Sequence, residues 1–393
     1  MDADELKALL EQKSDLGPVP VPKGEMSPKD RFYATMDFKK PDRIIDAEFG
    51  YWNDTLKRWH AEGLPAFVKN NSDADVYFGF DVWQKHIPVR NFIYPSFPEE
   101  VIEENDRYKI YYDSSRVKSQ VFKDGTDTIP HYLDFPVKDH ASYLPIKERL
   151  KPDLTARFPL NETDWNAMAA KAKDHNYVLA ASGGSTFGWI RNLMGFEGVC
   201  YALYDNRDVV VEFVNDLKTL ETSLAKKIAA DFRIDVKVYW EDIAFKTGPI
   251  IPPDVFNELA GPVYHALDEI YAACGCRFGY VDCDGDMRKL VPTWLENGVN
   301  IMFPLEVAAG VHPVDLRKMY PKIRMMGGFD KVKLLEGKDS IKRELLRLKP
   351  LVEEGGFLPH VDHRVQADVS YRDYVYYLEV KRDLFGLPGK IGK

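Results

Sequence analysis

From about residue 177 onward, short apolar runs alternate with long amphipathic segments, and this alternation constrains the fold more than any other feature. Such alternation is typical of βαβ units, in which helices join the strands of a parallel sheet. The helical pattern at 340–355 ends at Gly355 and Gly356, as helices commonly do. Seven runs read as strands, and an eighth is a candidate: 43–49, 177–182, 236–241, 277–282, 300–305, 323–328 and 357–362, with the eighth at 75–81.

The strand count favours an α/β fold of the (β/α)8 TIM-barrel type, formed by a single domain over 31–393. An amphipathic helical arm at 1–30 precedes it. Alternating runs at 107–113 and 116–122, separated by two serines, predict a β-hairpin within an insertion at about 86–135. A doubly wound sheet would require a glycine-rich phosphate turn, and "SGGSTFG" at 182–188 does not have that spacing.

Composition excludes several classes of partner. The net charge of −9 argues against a nucleic-acid-binding surface. No apolar run approaches the roughly 18 residues needed to cross a membrane. The first 15 residues are acidic and lack the apolar core of a signal peptide, so we expect a cytoplasmic protein. Four cysteines in 393 residues do not make a disulfide framework.

Acidic residues follow almost every predicted strand. A solvated loop explains any one of them, but in a TIM barrel the carboxyl ends of the strands line one active site. Carboxylates that converge there repel one another, so they require a cation, a shared proton or basic partners. The residues at these positions are Glu48, Glu241, Asp242, Asp282, Asp284, Glu306, Asp330 and Asp362, with His360 and His363 beside the last strand.

Five separated blocks, in order, resemble the uroporphyrinogen decarboxylase superfamily, which also holds corrinoid-dependent methyltransferases. The likeness covers roughly residues 28–385 and implies a TIM-type barrel. The blocks are "SPKDRFYATMDFKKPDRI", "YWEDIAFKTGPIIPPDVF", "FPLEVAAGVHPVDLRK", "MMGGFDKVKLLEGKDSIKREL" and "GGFLPHVDHRV".

The first strand indicates which branch the chain resembles. Decarboxylases of this superfamily carry an arginine-rich stretch there for a tetrapyrrole with many carboxylates. This chain instead has Glu48, and Lys57 and Arg58 come only later. The acidic strand end disfavours that substrate and favours the methyl-transferring branch.

In the branch that methylates thiols, zinc is held by a His-x-Cys pair and a distant cysteine. Aligned on the following glycine, these ligands fall on Asp282, Asp284 and a position near His363. The resemblance therefore implies a divalent metal at these three residues, and carboxylates favour a hard cation or a mixed oxygen–nitrogen zinc site. Cys283 alternates with the aspartates, which indicates a buried thiol.

Aromatic residues near strand ends suggest a small aromatic or apolar ligand. Histidines three residues apart on an extended segment face opposite sides, so only one of His360 and His363 is expected in the pocket, and His363 is the preferred ligand. The candidates for substrate binding are Tyr51, Trp52, Phe187, Tyr239 and His360.

These features favour a methyltransferase that moves a methyl group from a small donor, with an aryl methyl ether as a candidate, to a corrinoid. The chain has no Asp-x-His-x-x-Gly cobalamin motif, so the corrinoid is expected on a partner protein. The metal would act as a Lewis acid on the leaving oxygen. Glu241 or Glu306 would complete its shell or protonate that oxygen.

Two alternatives stay open. One is a decarboxylase of a small acid or a uroporphyrinogen-like substrate, with Arg43 or Lys246 holding the carboxylate. The other is a non-catalytic accessory subunit of a methyl-transfer system. A homodimer is a further option that the sequence does not decide.

Overall fold

A computed structural model describes residues 1–123 and 129–392. The strands in this part of the chain are β1 Gln84–His86, β2 Glu100–Glu104, β3 Tyr108–Tyr112, β4 Lys118–Phe122, β5 His131–Asp134, β6 Val178–Gly184, β7 Val236–Trp240, β8 Ala244–Phe245, β9 Gly248–Pro249, β10 Phe278–Asp282, β11 Ile301–Phe303, β12 Arg324–Phe329 and β13 Phe357–Val361.

The α-helices of the same part are α1 Ala3–Ser14, α2 Pro28–Met36, α3 Asn53–Ala61, α4 Asn71–Phe78, α5 His140–Lys147, α6 Leu154–Arg157, α7 Glu162–Ala172, α8 Phe187–Met194, α9 Phe196–Asp205, α10 Arg207–Asp231, α11 Pro253–Leu259, α12 Gly261–Ala273, α13 Val291–Glu296, α14 Pro313–Met319, α15 Lys338–Glu354 and α16 Tyr371–Phe385. Short 3₁₀ turns lie at Glu148–Leu150, Val307–Ala309 and Lys331–Leu334. None of these helices is both long and apolar enough to cross a membrane.

Seven strands form one parallel sheet in the order β1-β6-β7-β10-β11-β12-β13. Side chains from one face of distant strands, such as Val178, Phe278 and Leu358, belong to a single hydrophobic cluster, so the sheet curls around its own interior. In the described residues no ladder joins β1 to β13. The architecture is therefore an α/β fold consistent with a TIM-like barrel that is not fully closed.

Two of the predicted strands are wrong. The run at 75–81 lies largely in α4, which begins where the Asn70 side chain accepts a hydrogen bond from Asp73 N–H and ends at Gly79, whose φ is 75°. These caps outweigh the strand propensity of its aromatic residues. The run at 43–49 is neither helix nor strand. The sequence also gave no sign of β1, which is only three residues long.

The segment at 43–49 nevertheless lies in the gap between β1 and β13. The Asp81 backbone N–H donates to Asp46 O (2.9 Å), and Val361 N–H donates to the Glu48 carboxylate (3.1 Å). Because a side chain accepts the bond on the β13 side, the backbone does not form a ladder there. This geometry explains why the predicted eighth strand is absent.

A buried ion network attaches this segment to the last helix. Lys381 of α16 lies 2.7 Å from Glu48 Oε1 and 3.6 Å from Asp46 Oδ1, and all three side chains are at most 2% exposed. Arg382 Nε donates to Asp46 Oδ2 (2.8 Å), and Tyr377 OH donates to Glu48 (2.7 Å). Charge pairing thus holds the segment in a place where no strand ladder does.

The arm and the insertion flank this barrel. The predicted hairpin is confirmed, since β3 and β4 pair antiparallel, with Tyr112 opposite Lys118. It belongs to a larger four-stranded sheet in the order β2-β3-β4-β5. Helix α1 forms the arm, and the chain after it is fixed where Tyr177 OH donates to Leu16 O (2.6 Å).

Replacing Lys381 by methionine should lower the free energy of unfolding by about 3–5 kcal/mol, because it leaves the buried Glu48 carboxylate without its cation, whereas Asp46 keeps Arg382. Lys318→Met is a matched control, since Lys318 pairs with Asp315 in an exposed bridge expected to contribute at most about 1 kcal/mol. Chemical denaturation of both variants measures the difference. Equal effects would contradict a structural role for the buried network.

Candidate active site

The loop after β10 carries the acids to the carboxyl end of the sheet. Gly285 has φ 78°, and a Cβ there would lie 2.3 Å from Ala244 O, so no other residue fits this close approach. Asp286 N–H donates to Phe245 O (2.8 Å), which attaches the loop to the β8–β9 hairpin. Tight backbone packing therefore fixes the position of Asp284.

Asp284 and His363 form a pair across the mouth of the barrel. His363 Nε2 lies 3.2 Å from Asp284 Oδ2, and the imidazole packs edge-on against Phe49, with ring centroids 5.3 Å apart. The ring centroid of Trp52 lies 5.9 Å from that of His363. The second oxygen of Asp284, Oδ1, is buried and accepts no hydrogen bond from the described residues. This buried acceptor is therefore unsatisfied within the described chain.

Two further carboxylates stand beside this pair. Burial raises the pKa of Asp282 to about 7, the charges of Asp284 and Asp242 add to the rise, and His363 and Arg364 oppose it. Burial also raises the pKa of Asp242, while Arg191, whose Nη2 donates to Asp242 Oδ2 at 3.1 Å, lowers it. We call Asp242, Asp282, Asp284 and His363 the mouth cluster.

The three predicted metal ligands do not form a ligand set in this arrangement. Asp284 and His363 are paired with each other, and no group of three or more His, Cys, Asp or Glu side chains in residues 1–123 and 129–392 is placed to hold a metal ion. The residues as arranged do not fit the implied metal, so no chemical step is assigned to one. The metal stays a prediction.

Glu241 does not join the cluster. Its carboxylate is fully buried and faces the start of α8, where it accepts hydrogen bonds from Thr186 N–H (2.9 Å), Gly188 N–H (2.8 Å) and Tyr264 OH (2.5 Å). Burial raises its pKa, and these hydrogen bonds oppose the rise. The residue caps a helix and links it to α12, which is a positioning role.

Glu306 and Asp362 hold the loops around the mouth. Glu306 Oε2 accepts from Gly285 N–H (2.9 Å), next to Asp284. Asp362 accepts from the backbone N–H groups of Val307 (2.8 Å) and Lys331 (3.1 Å), so it links the turns that follow β11 and β12. Burial raises the pKa of Asp362 to about 6. Both acids therefore act on the backbone of neighbouring loops.

Below the mouth cluster, the barrel interior contains a cavity of about 320 Å³, which we call the inner cavity. Asp282 lines it, together with Gln84 and His360. His360 Nδ1 lies 2.8 Å from Val361 O, and burial lowers the pKa of this histidine to about 3, so it is neutral at pH 7. The aromatic walls of the cavity are Phe49, Trp83, Tyr239, Trp240, Tyr280 and Phe303.

The predicted aromatic residues fall in two environments. Tyr51 and Phe187 lie in the core between helices, where Tyr51 OH is 2.8 Å from Tyr374 OH, and neither lines the inner cavity. Tyr239 contributes to the cavity wall, but its ring stacks on Tyr264 of α12 at 4.3 Å. Trp52 stands at the mouth beside His363.

The two histidines lie in different places, and only His360 is among the residues that line the inner cavity. His360 lines the inner cavity and His363 joins the mouth cluster. Strand β13 ends at Val361, so strand alternation no longer sets the direction of the His363 side chain. Cys283 is fully buried in the core, as predicted.

Sequence reasoning missed most of the inner cavity. Phe49, Tyr280 and Phe303 belong to runs read as strands or strand-like, so their period-two spacing could have pointed to an inward face. Trp83 and Gln84 come from the region of β1, which was not predicted. A strand that short carries too few residues for a periodicity signal.

A comparison with solved structures found a protein of similar fold. A methyltransferase from Methanosarcina mazei has a similar structure, with a TM-score of 0.58 and 13% sequence identity over 92% of this chain and all of that chain. At this identity the likeness supports the fold alone. No protein-family profile and no curated protein matches the sequence.

The pKa of Asp282 gives a testable pH dependence. The folded protein holds this proton up to about pH 7, whereas the unfolded chain loses it near the ordinary value of 3.8. Stability from this residue is therefore fully present below pH 3.8 and lost as the pH rises to 7, by about 1.4 kcal/mol per unit and about 4 kcal/mol at most. Asp282→Asn should remove this loss, measured as the difference in unfolding free energy from the wild type in a chelator.

Asp286→Asn is the matched control in the same loop. Arg288 lowers the pKa of Asp286, so its contribution is present above the ordinary pKa and is lost on acidification, which is the opposite sign. Titration of His360 is common to all variants and cancels in the differences. A wild-type minus Asp282→Asn difference that stays flat from pH 4 to 7 would refute the buried-carboxyl assignment.

Proposed function

We propose that this protein is a methyltransferase that moves a methyl group from a small donor to the reduced cobalt of a corrinoid carried by a partner protein. The observation that carries the proposal is the position of the mouth cluster directly above an aromatic cavity, at the carboxyl ends of parallel strands. This is where barrels of this type hold their substrates. The similarity to a methyltransferase of the same fold and the sequence blocks that resemble the corrinoid-dependent branch support it.

The inner cavity is suited to a donor of about the size of one aromatic ring. Its volume of about 320 Å³ is at the lower end for small-molecule sites, and most of its wall is apolar. A donor seated there would present its methyl group toward the mouth, where the acceptor must approach. An aryl methyl ether has the required size and shape and is one candidate donor.

The chain's own residues would bind and orient the donor. Phe49, Trp83 and Phe303 surround the apolar part, and the paired Asp284 and His363 border the opening. Orientation alone contributes to the rate, because holding the methyl group in line with its acceptor lowers the entropic part of the activation barrier.

Decarboxylation is less well supported. It requires a cation to hold the substrate carboxylate, and no Lys or Arg of the described chain lines the inner cavity. Arg43 is bound in a bidentate pair to Asp81 (2.6 and 2.7 Å), and Lys246 is exposed at the β8–β9 turn. A non-catalytic accessory subunit would bind the donor without turnover, which distinguishes that alternative by experiment.

The test is single-turnover methyl transfer to a reduced corrinoid protein, followed by the absorbance change of the cobalt. Wild-type protein should transfer the methyl group. His363→Gln should slow transfer by about 100-fold. Asp284 then loses the imidazole with which it is paired, and the side chains that border the opening are no longer held in place. His265→Gln, on the exposed face of α12, is the control that should retain the rate. Donor binding with no transfer by any variant would favour the accessory subunit.

We also predict about one divalent metal ion per chain, with zinc as the expected metal. Binding would require Asp284 and His363 to separate from each other and turn toward a common ion. Elemental analysis of the purified protein should show the metal in the wild type and its loss in Asp282→Ala and His363→Ala, with the fold unchanged by circular dichroism. Full activity in metal-free protein would disprove a catalytic metal.

A further inference from the structure

A second cavity lies beside the inner cavity, at the carboxyl ends of β1, β6 and β7. Its volume is about 350 Å³, which is within the range of small-molecule sites. We call this space the side cavity. The two cavities share His86, Val238 and Trp240 in their walls, so a ligand in one lies directly beside the other.

Strand pairing brings two polar side chains to the wall of the side cavity. His86 ends β1 opposite Ala180 of β6, and the Ile87 N–H donates to Ala180 O (3.0 Å). Ser182 follows Ala180 by two residues and therefore lies on the same face of the sheet. Asn91, in the loop after β1, is the third polar residue, and its Nδ2 donates to Ser182 Oγ (2.6 Å).

These three side chains keep hydrogen-bonding groups that no described residue uses. Ser182 Oγ accepts from Asn91 Nδ2 and from Gly184 N–H (3.0 Å), so its hydroxyl hydrogen is still to be donated. Asn91 Oδ1 and the His86 ring bond to no residue in 1–123 or 129–392. Burial lowers the pKa of His86 below its ordinary value of 6.5, so the ring is neutral at pH 7 and offers one donor and one acceptor.

The wall also excludes a charged ligand group. No Asp, Glu, Lys or Arg of the described chain lines the side cavity, so an ion there would have no partner. A carboxylate only accepts hydrogen bonds and an ammonium group only donates them, whereas this wall offers both kinds of group. A ligand group that fits must be uncharged and must both donate and accept.

A primary carboxamide has this combination. Its two N–H groups match the two acceptors, Asn91 Oδ1 and a His86 ring nitrogen, and its carbonyl oxygen matches the Ser182 hydroxyl hydrogen. A hydroxyl group has one hydrogen and would leave one of these acceptors without a bond. We propose that the side cavity is a binding site for a primary carboxamide, held by His86, Asn91 and Ser182.

The carboxamide could come from either participant in the proposed methyl transfer, on which this part of the assignment rests. A donor in the inner cavity could extend a carboxamide substituent past Trp240 into the side cavity. The corrinoid is the other source, because its ring carries carboxamide side chains at its edge and the side cavity lies at the end of the sheet that the corrinoid must approach. The shared chemistry is the carboxamide, and two pairs of compounds distinguish the sources.

Isothermal titration calorimetry with 3-methoxybenzamide and 3-methoxyacetophenone tests the donor as the source. The two compounds have nearly the same shape and differ in an NH₂ that the second replaces by CH₃. The amide should bind at least about 10-fold more tightly, because the ketone leaves two acceptors of the wall without hydrogen bonds. His86→Leu and Asn91→Leu should each abolish that ratio. His265→Leu, on the exposed face of α12, is the control that should keep it.

Cyanocobalamin and its monocarboxylic acids, in which one side-chain carboxamide is hydrolysed, test the corrinoid as the source. At least one of the acids should bind about 10-fold more weakly than cyanocobalamin, and His86→Leu and Asn91→Leu should remove that difference. Selectivity in either pair of compounds supports the carboxamide site and identifies its source. Equal affinities within both pairs, or a selectivity that persists in both variants, would overturn the proposal.

Single-turnover assays separate this proposal from the methyltransferase itself. Methyl transfer by the wild type without carboxamide selectivity in either pair would overturn the carboxamide site and leave the methyltransferase intact. Carboxamide selectivity with no methyl transfer would overturn the methyltransferase, while the carboxamide site would stand on the calorimetry.

Discussion

The barrel depends on one buried ion network. Where the first strand of the barrel is expected, the backbone at 43–49 has no ladder on the β13 side, and Lys381 and Arg382 of α16 hold it through Asp46 and Glu48. Such a network is stable only while every charge keeps its partner, because each buried ion has given up its hydration. The last helix of the chain therefore fixes the first segment of the barrel, which makes the fold dependent on its two distant ends.

The same network determines what the barrel can bind. Glu48 lines the inner cavity, but Lys381, Tyr377 and Val361 N–H already satisfy it, so it offers no charge to a ligand. The Glu241 carboxylate likewise already accepts hydrogen bonds from backbone N–H groups at the start of α8. Within the described chain, Asp282 borders the inner cavity, and Asp284 pairs with His363 beside it.

An acid at a strand end can thus serve three different purposes here. Asp362 and Glu306 accept backbone N–H groups and set the shape of the loops. Asp46 and Glu48 attach the segment at 43–49 to α16. Asp282 and Asp284 border the space where a ligand would sit. These roles differ because different groups surround each carboxylate.

The class of fold, and the end of the sheet where the candidate site lies, can be inferred from the sequence alone. Six parallel strands, the hairpin, the buried Cys283 and the neighbourhood of Asp284 and His363 follow from periodicity, from the order of elements and from the resemblance of the sequence blocks. These signals are local, or depend only on chain order. The local caps at Asn70 and Gly79 make 71–78 a helix although its aromatic residues favour a strand. Tertiary structure alone decided the rest: that 43–49 is held by charge, that Glu241 points away from the cavity, and that Tyr51 and Phe187 pack in the core. Each of these depends on partners tens to hundreds of residues away, and the direction of a side chain after a strand ends is set by those contacts, which no local pattern encodes.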